Sequence, residues 1–180
     1  AHGSLDATVV AAPDETRRQA ALFALREAVP EGINRRILAA QRQFGPAIAK
    51  AAADVVVPFA ELAGALQSYR AIAARHGLAC FVWGHVSDGN VHPNLLPRDA
   101  EEAARAEIAL LEIGREAIAR GGAPMSEHGV GRSRVKQQLL FDLYGSAGVA
   151  SMREVKRGFD PHGVLAPGVL FAAGEADVRR

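Results

Sequence analysis

The segment Gly84-His85-Val86-Ser87-Asp88-Gly89-Asn90-Val91-His92-Pro93-Asn94 constrains this chain more than any other. Asp-Gly between apolar residues is a strong hairpin signal, because both central positions of a type I′ turn need positive φ. A two-residue turn at Asp88-Gly89 predicts the pairing by counting outward: Ser87 opposite Asn90, Val86 opposite Val91, His85 opposite His92. Directly opposed side chains on one face have Cβ atoms about 4.5–5.5 Å apart, so two imidazoles can reach one metal ion. Trp83 and Asn94 fall one step further out on that face, since side chains alternate with period two. Pro93 is then opposite Gly84 at a non-hydrogen-bonded position, where its missing N–H leaves the ladder intact.

Two imidazoles make half of a divalent-metal site. The second half is a candidate at Glu127-His128, which precedes Gly129-Val130-Gly131. Adjacent residues of an unbroken strand face opposite sides, so a bend at the glycines is needed to bring both inward. One division makes Glu127 the third ligand and leaves His128 free as a base. Three protein ligands with an open position is the pattern of a catalytic metal. A plainer reading also stands, with Glu127 at a helix entry and His85 and His92 as hydrogen-bonded surface residues. Asp88 reads as a turn residue, His76 as a helix-end cation and His162 as part of a turn. Neither a Gly-x-x-x-x-Gly-Lys loop nor a Gly-x-Ser-x-Gly elbow occurs.

The rest of the chain alternates helix and strand signals. Residues 14–29 read as a helix ended by Pro30, and 34–53 as a second one interrupted near Gly45-Pro46. Asp54-Val55-Val56-Val57 is a short β-branched strand. Pro58 opens a helix through His76, closed by Gly77. The hairpin strands are expected over 78–86 and 90–96. Asp99 is an N-cap for a helix reaching Arg120, with Glu101 and Glu102 in its first turn. Residues 123–126 are expected to be extended, two helices are expected over 133–143 and 146–157, and 159–168 is turn-rich. Helices covering an antiparallel sheet, an α+β arrangement, follow.

At 180 residues the chain has enough length for one domain with a real core. Its net charge of +1 gives no field to gather nucleic acid, and no apolar run approaches the roughly 18 residues of a bilayer span. The lone Cys80 permits no internal disulfide, so a reducing, cytoplasmic setting is the default expectation. Ala1-His2-Gly3-Ser4 has the composition of a cloning scar, leaving 5–180 as the domain.

These motifs resemble the C-terminal domain of FAD-linked oxidases and dehydrogenases, the family of D-lactate and D-2-hydroxyglutarate dehydrogenases and the glycolate oxidase flavin subunit. The resemblance rests on residues 84–94 and on Ser126-Glu127-His128-Gly129-Val130-Gly131. Asp54-Val55-Val56-Val57-Pro58 and Phe159-Asp160-Pro161 leading to Leu165-Ala166-Pro167-Gly168 support it. The resemblance implies a ferredoxin-like α+β substrate or cap domain packed over a separate flavin-binding domain. It implies that His85, His92 and Glu127 hold a divalent metal, zinc foremost, and that His128 is the base. Arg26 would grip a substrate carboxylate, and Asn94 would be a polar substrate contact.

The departures from the pattern are specific. Ser87 replaces a glycine, Ala166 an asparagine, and Pro30 a threonine, while Ala52 stands where several relatives carry a lysine, with Lys50 two residues earlier. No glycine-rich flavin segment occurs, so FAD is expected on an upstream domain or another chain. The implied reaction oxidises a small 2-hydroxy acid, with a homodimer and a location at the edge of the inner membrane as further options. A flavin-independent metal-dependent hydrolase and a non-catalytic metal-binding interaction domain are the alternatives.

Overall fold

The computed structural model describes residues 10–46 and 48–172; the Ala1-His2-Gly3-Ser4 start lies outside them. The elements are α1 (Thr16–Phe44), β1 (Ala51–Ala52), β2 (Val55–Val56), α2 (Leu62–Arg75), β3 (Ala79–His85), β4 (Asn90–Leu96), α3 (Ala100–Ala119) and α4 (Arg134–Phe159). β4 is central, with β3 on one side and β1 and β2 on the other, all antiparallel. β1 and β2 share one register on β4, and the Ala53 N–H donates to the Pro93 carbonyl between them at 2.9 Å. They therefore act as one interrupted strand. Ala123 pairs with Val56 as a single bridge on its outer edge. With α2 and α3 as crossovers, this is the expected ferredoxin-like α+β arrangement.

Alternation along the strands sends the two faces to different tasks. Val55, Val57, Val91 and Leu95 point at the helical layer and are buried to 2% exposure or less. They meet Leu62, Ala65, Tyr69, Ile72 and Ala73 of α2 and Ala106, Ala109, Ile113 and Ala117 of α3. Both helical sets recur at three- and four-residue spacing, the stripe expected of a helix with one buried side. Asp99 caps α3 as predicted, its carboxylate accepting from the Glu102 N–H. The opposite face carries Asp54, Asn90, His92, Asn94, Phe81, Trp83 and His85. Part of it is roofed by α1, where Ile33 and Ile37 pack with Leu96, Phe81 and Trp83.

Three local expectations are corrected. α1 runs through Pro30 for 29 residues and ends at Phe44, where two helices over 14–29 and 34–53 were expected. The packing of Ile33 and Ile37 onto the sheet outweighs the local break. Ala51 and Ala52, expected in the second helix, pair with β4 instead.

The hairpin forms with a longer turn than two residues. Val86–Asp88 make a 3-10 turn, and Gly89 closes it at φ +71°. The observed pairs are His85 with Asn90, Gly84 with Val91 and Trp83 with His92. His85 is thus not opposite His92 but diagonal to it. A shift of two residues keeps every side chain on its face, so the imidazoles remain neighbours.

The two expected helices over 133–143 and 146–157 appear as α4, divided at Gly145, whose φ of +68° and ψ of +179° are not helical. The turn-rich tail is held by buried Asp160, which accepts from the Val164 N–H at 2.9 Å and from the Leu165 N–H at 3.0 Å. None of the described helices is long and apolar enough to cross a membrane.

Candidate metal and substrate site

The hairpin brings His85 and His92 together, with ring centroids 6.0 Å apart and planes at 88°. The segment following Ala123 lays Ser126, Glu127 and His128 against the same sheet face. His128 stacks on His92, centroids 4.8 Å apart. Glu127 is the centre of the group. Its Oε1 lies 2.8 Å from His92 Nε2 and 3.3 Å from His128 Nε2, and its Oε2 lies 3.7 Å from His85 Nε2. Three Nε2 atoms thus converge on one carboxylate.

Asp54 sits beneath them at 1% exposure. Ligand atoms of Asp54, His92, Glu127 and His128 all lie within 4.8 Å of one another, close enough to surround a single cation. Burial raises the Asp54 carboxyl. The His128 N–H, the Ser126 hydroxyl, the Glu127 N–H and the Asn90 amide lower it more, and hold it well below the usual carboxylate range. Burial also lowers His92 below its ordinary value, with the neighbouring His128 and His85 acting the same way against Asp54 and Glu127. A neutral imidazole beside two carboxylates is a good ligand for a divalent ion. His92 Nδ1 is buried with no hydrogen-bond partner, while its Nε2 is turned to Glu127. The residues present therefore suit a divalent cation.

A cavity of about 320 Å³ opens beside this group, lined by Arg26, Glu27, Pro30, Trp83, Gly84, His85, His92 and His128. Its size lies at the small end of ligand cavities. Arg26 and Pro30 come from α1, so this helix brings an arginine to the cavity that the three histidines also line. Arg26 pairs with Glu27 at 2.9 Å, both side chains 67% exposed; such a pair is weak and leaves the cation available to an anion. Asn94 is elsewhere. It is buried at 1% exposure, is not among the cavity-lining residues, and its amide donates to the His92 carbonyl at 2.5 Å.

Sequence reasoning missed Asp54, Ser126 and Asn90 as parts of the site, and Trp83 as its wall. One signal was available for Asp54. A charged residue heading a Val-Val-Val strand is expensive to bury unless it is hydrogen-bonded. Lys50 places its ammonium over the Trp83 ring, 5.3 Å from the centroid.

The fold and site define an α+β domain whose sheet carries a cluster of three histidines and a glutamate beside a cavity that an arginine also lines. The chain belongs to a particular family, that of FAD linked oxidases, C-terminal domain, whose sequence model matches residues 1–170. It is 36% identical over 121 residues to the glycolate oxidase subunit GlcD of Bacillus subtilis, covering 66% of this chain and 25% of that protein. Over 100 residues it is 37% identical to a D-2-hydroxyglutarate dehydrogenase of Xanthomonas citri, covering 53% and 21%. A probable mitochondrial D-lactate dehydrogenase of Danio rerio is 29% identical over 120 residues, covering 66% and 24%. The matched region is thus about a quarter of each relative's length.

Proposed function

We propose that this chain is the substrate- and metal-binding part of an FAD-dependent oxidoreductase that converts a small 2-hydroxy acid to the 2-oxo acid. The observation that carries this reading is the convergence of three imidazole Nε2 atoms on Glu127, beside a cavity sized for a small molecule that Arg26 also lines. His85, His92 and Glu127 would hold a divalent cation, zinc first. Asp54, although close, has its lone pairs committed elsewhere. The domain would comprise residues 5–180, with FAD held by a flavin-binding domain upstream or in another chain. Leu25 and Val29, one turn apart on α1, are both exposed and offer apolar surface such a domain would cover.

When bound, the cation supplies Lewis acidity at the substrate oxygen and the flavin accepts the hydride. The chain's own residues do the rest. Arg26 pairs with the carboxylate through its planar guanidinium. Trp83 and Pro30 bound the cavity and exclude water from one side. His128, 58% exposed on its side chain and stacked on His92, would take the hydroxyl proton. Asn94 would serve the substrate only indirectly, by holding the His92 carbonyl.

Trp83 is the chain's one tryptophan, so binding has a built-in reporter. Addition of zinc and then a 2-hydroxy acid should change its fluorescence, and Arg26→Ala should remove the response to the acid while keeping that to zinc. An acid response unaltered by Arg26→Ala would exclude the arginine from recognition.

A further inference from the structure

Asp54 belongs to the tight four-residue group yet receives more hydrogen bonds than a ligand could spare. Its Oδ2 accepts from three successive backbone N–H groups, Ser126 at 3.2 Å, Glu127 at 2.9 Å and His128 at 2.7 Å. Its Oδ1 accepts from the Ser126 hydroxyl at 2.5 Å and from the Asn90 amide at 3.1 Å. A carboxylate offers about four lone-pair sites, so these five donors saturate it. Three consecutive N–H groups aimed at one oxygen also curve the backbone around that oxygen. This curvature removes the objection that neighbours in a strand face opposite sides: Glu127 and His128 both reach His92 because 126–128 wraps Asp54.

The same carboxylate faces the other edge of His92. Nδ1 of that ring is buried without a hydrogen-bond partner, and Asp54 Oδ1, 3.6 Å away, is a carboxylate oxygen beside it. Nε2, on the far side of the ring, is the atom beside Glu127. For Nε2 to offer its lone pair to a cation, the ring proton must reside on Nδ1, and a negative charge beside Nδ1 favours that tautomer. Asp54 Oδ1 supplies that charge.

We propose that Asp54 is a positioning residue with two roles. Its Oδ2 shapes the turn that presents Glu127 and His128, and the negative charge at its Oδ1 favours the His92 proton on Nδ1, so that Nε2 can bind a divalent cation. The second role rests on the cation reading given above. Asp54→Asn separates the roles. The amide oxygen can still accept the three backbone N–H groups, while the NH2 group turns a donor toward His92 Nδ1. The ring then carries its proton on Nε2, where it blocks a metal bond.

The test is a zinc titration of the whole chain labelled with 15N at histidine, with affinity read by competition against a chromophoric chelator. In the zinc-loaded wild type, His92 should show an Nδ1 proton protected from solvent exchange and an Nε2 shifted by ligation. D54N should keep the wild-type circular dichroism, lose about 10- to 100-fold in zinc affinity and carry its His92 proton on Nε2. Equal zinc affinity in wild type and D54N, with the same tautomer, overturns the proposal. Should D54N fail to fold, the wild type alone decides, because an Nδ1 proton exchanging at the solvent rate in the zinc-loaded protein also overturns it. A wild type that binds no zinc overturns the cation reading together with the Nδ1 role. That outcome is distinguishable from a failure confined to Asp54, in which the wild type binds zinc normally.

Discussion

His92 and His128 stack on each other, yet one is buried and the other open. His92 is 8% exposed with a carboxylate at each edge of its ring, whereas His128 has 58% of its side chain in solvent. That asymmetry divides the labour. His92→Ala should abolish stoichiometric zinc, measured by elemental analysis after desalting. His128→Ala should retain the zinc and lower turnover of the flavin-bearing enzyme by roughly 10²- to 10⁴-fold. Unchanged zinc in the first or unchanged turnover in the second would remove that residue from its role. Asp54 also sets an acid limit. Its folded pKa lies below the value of 3.8 expected when unfolded, so the unfolded chain binds the proton first. The stabilisation is complete above 3.8 and is lost as pH falls through the folded value. Melting temperature should drop steeply below pH 4 in the wild type and less steeply in Asp54→Asn.

Ala166 sits at φ +44°, in the left-handed region where a Cβ is strained and where asparagine and glycine are at ease. The family resemblance places an asparagine there, and backbone conformation is a sufficient reason for it. Ala166→Gly should therefore stabilise the domain by about 1 kcal/mol, read as a rise in melting temperature of about 2–4 °C. A fall would show that the tail relaxes around alanine.

At the scale of elements, α1 and the hairpin each contain a residue whose effect depends on its neighbours. Pro30 lies inside a 29-residue helix and removes the N–H that would bond the carbonyl of Arg26 four residues earlier. Pro30→Ala should strengthen α1 by up to about 3 kcal/mol, seen as increased helicity and a higher melting temperature. No gain in either would mean that packing already suppresses the cost of proline. Gly89 is the reverse case. A Cβ there would lie 2.1 Å from the Val57 carbonyl oxygen, at a φ of +71° that disfavours side chains. Gly89→Ala should cost on the order of 3 kcal/mol and pull β4 from β2, measured by denaturant unfolding.

The hairpin also shows where pattern reading stops. Strand limits and the face shared by His85 and His92 were legible from Asp88-Gly89 and the alternation around it. The register was two residues off, because the same Asp-Gly pair can close either a two-residue turn or the longer 3-10 turn. What selects the longer one is the Gly89 carbonyl accepting from the Val57 N–H at 3.1 Å, a contact with a different strand. Similarly, Pro30 reads locally as a stop, and only the seating of Ile33 and Ile37 on the sheet carries the helix past it.

Across the whole molecule, the sheet works as a partition. One face is closed by α2 and α3 over an apolar core, and the other holds every residue of the candidate site, partly roofed by α1. Residue types, the alternation of the strands, the cap of α3 and the two histidine-bearing motifs were all determined by the sequence, since each depends on neighbours a few positions apart. Tertiary structure decided which carboxylate organises the site and what faces it. Asp54 finds its donors 72 to 74 residues away, and Arg26 meets the histidines only because α1 crosses the sheet. Local periodicity specifies which side of an element a residue occupies. It carries no information on which distant donor will satisfy a buried charge, because that depends on how whole elements pack.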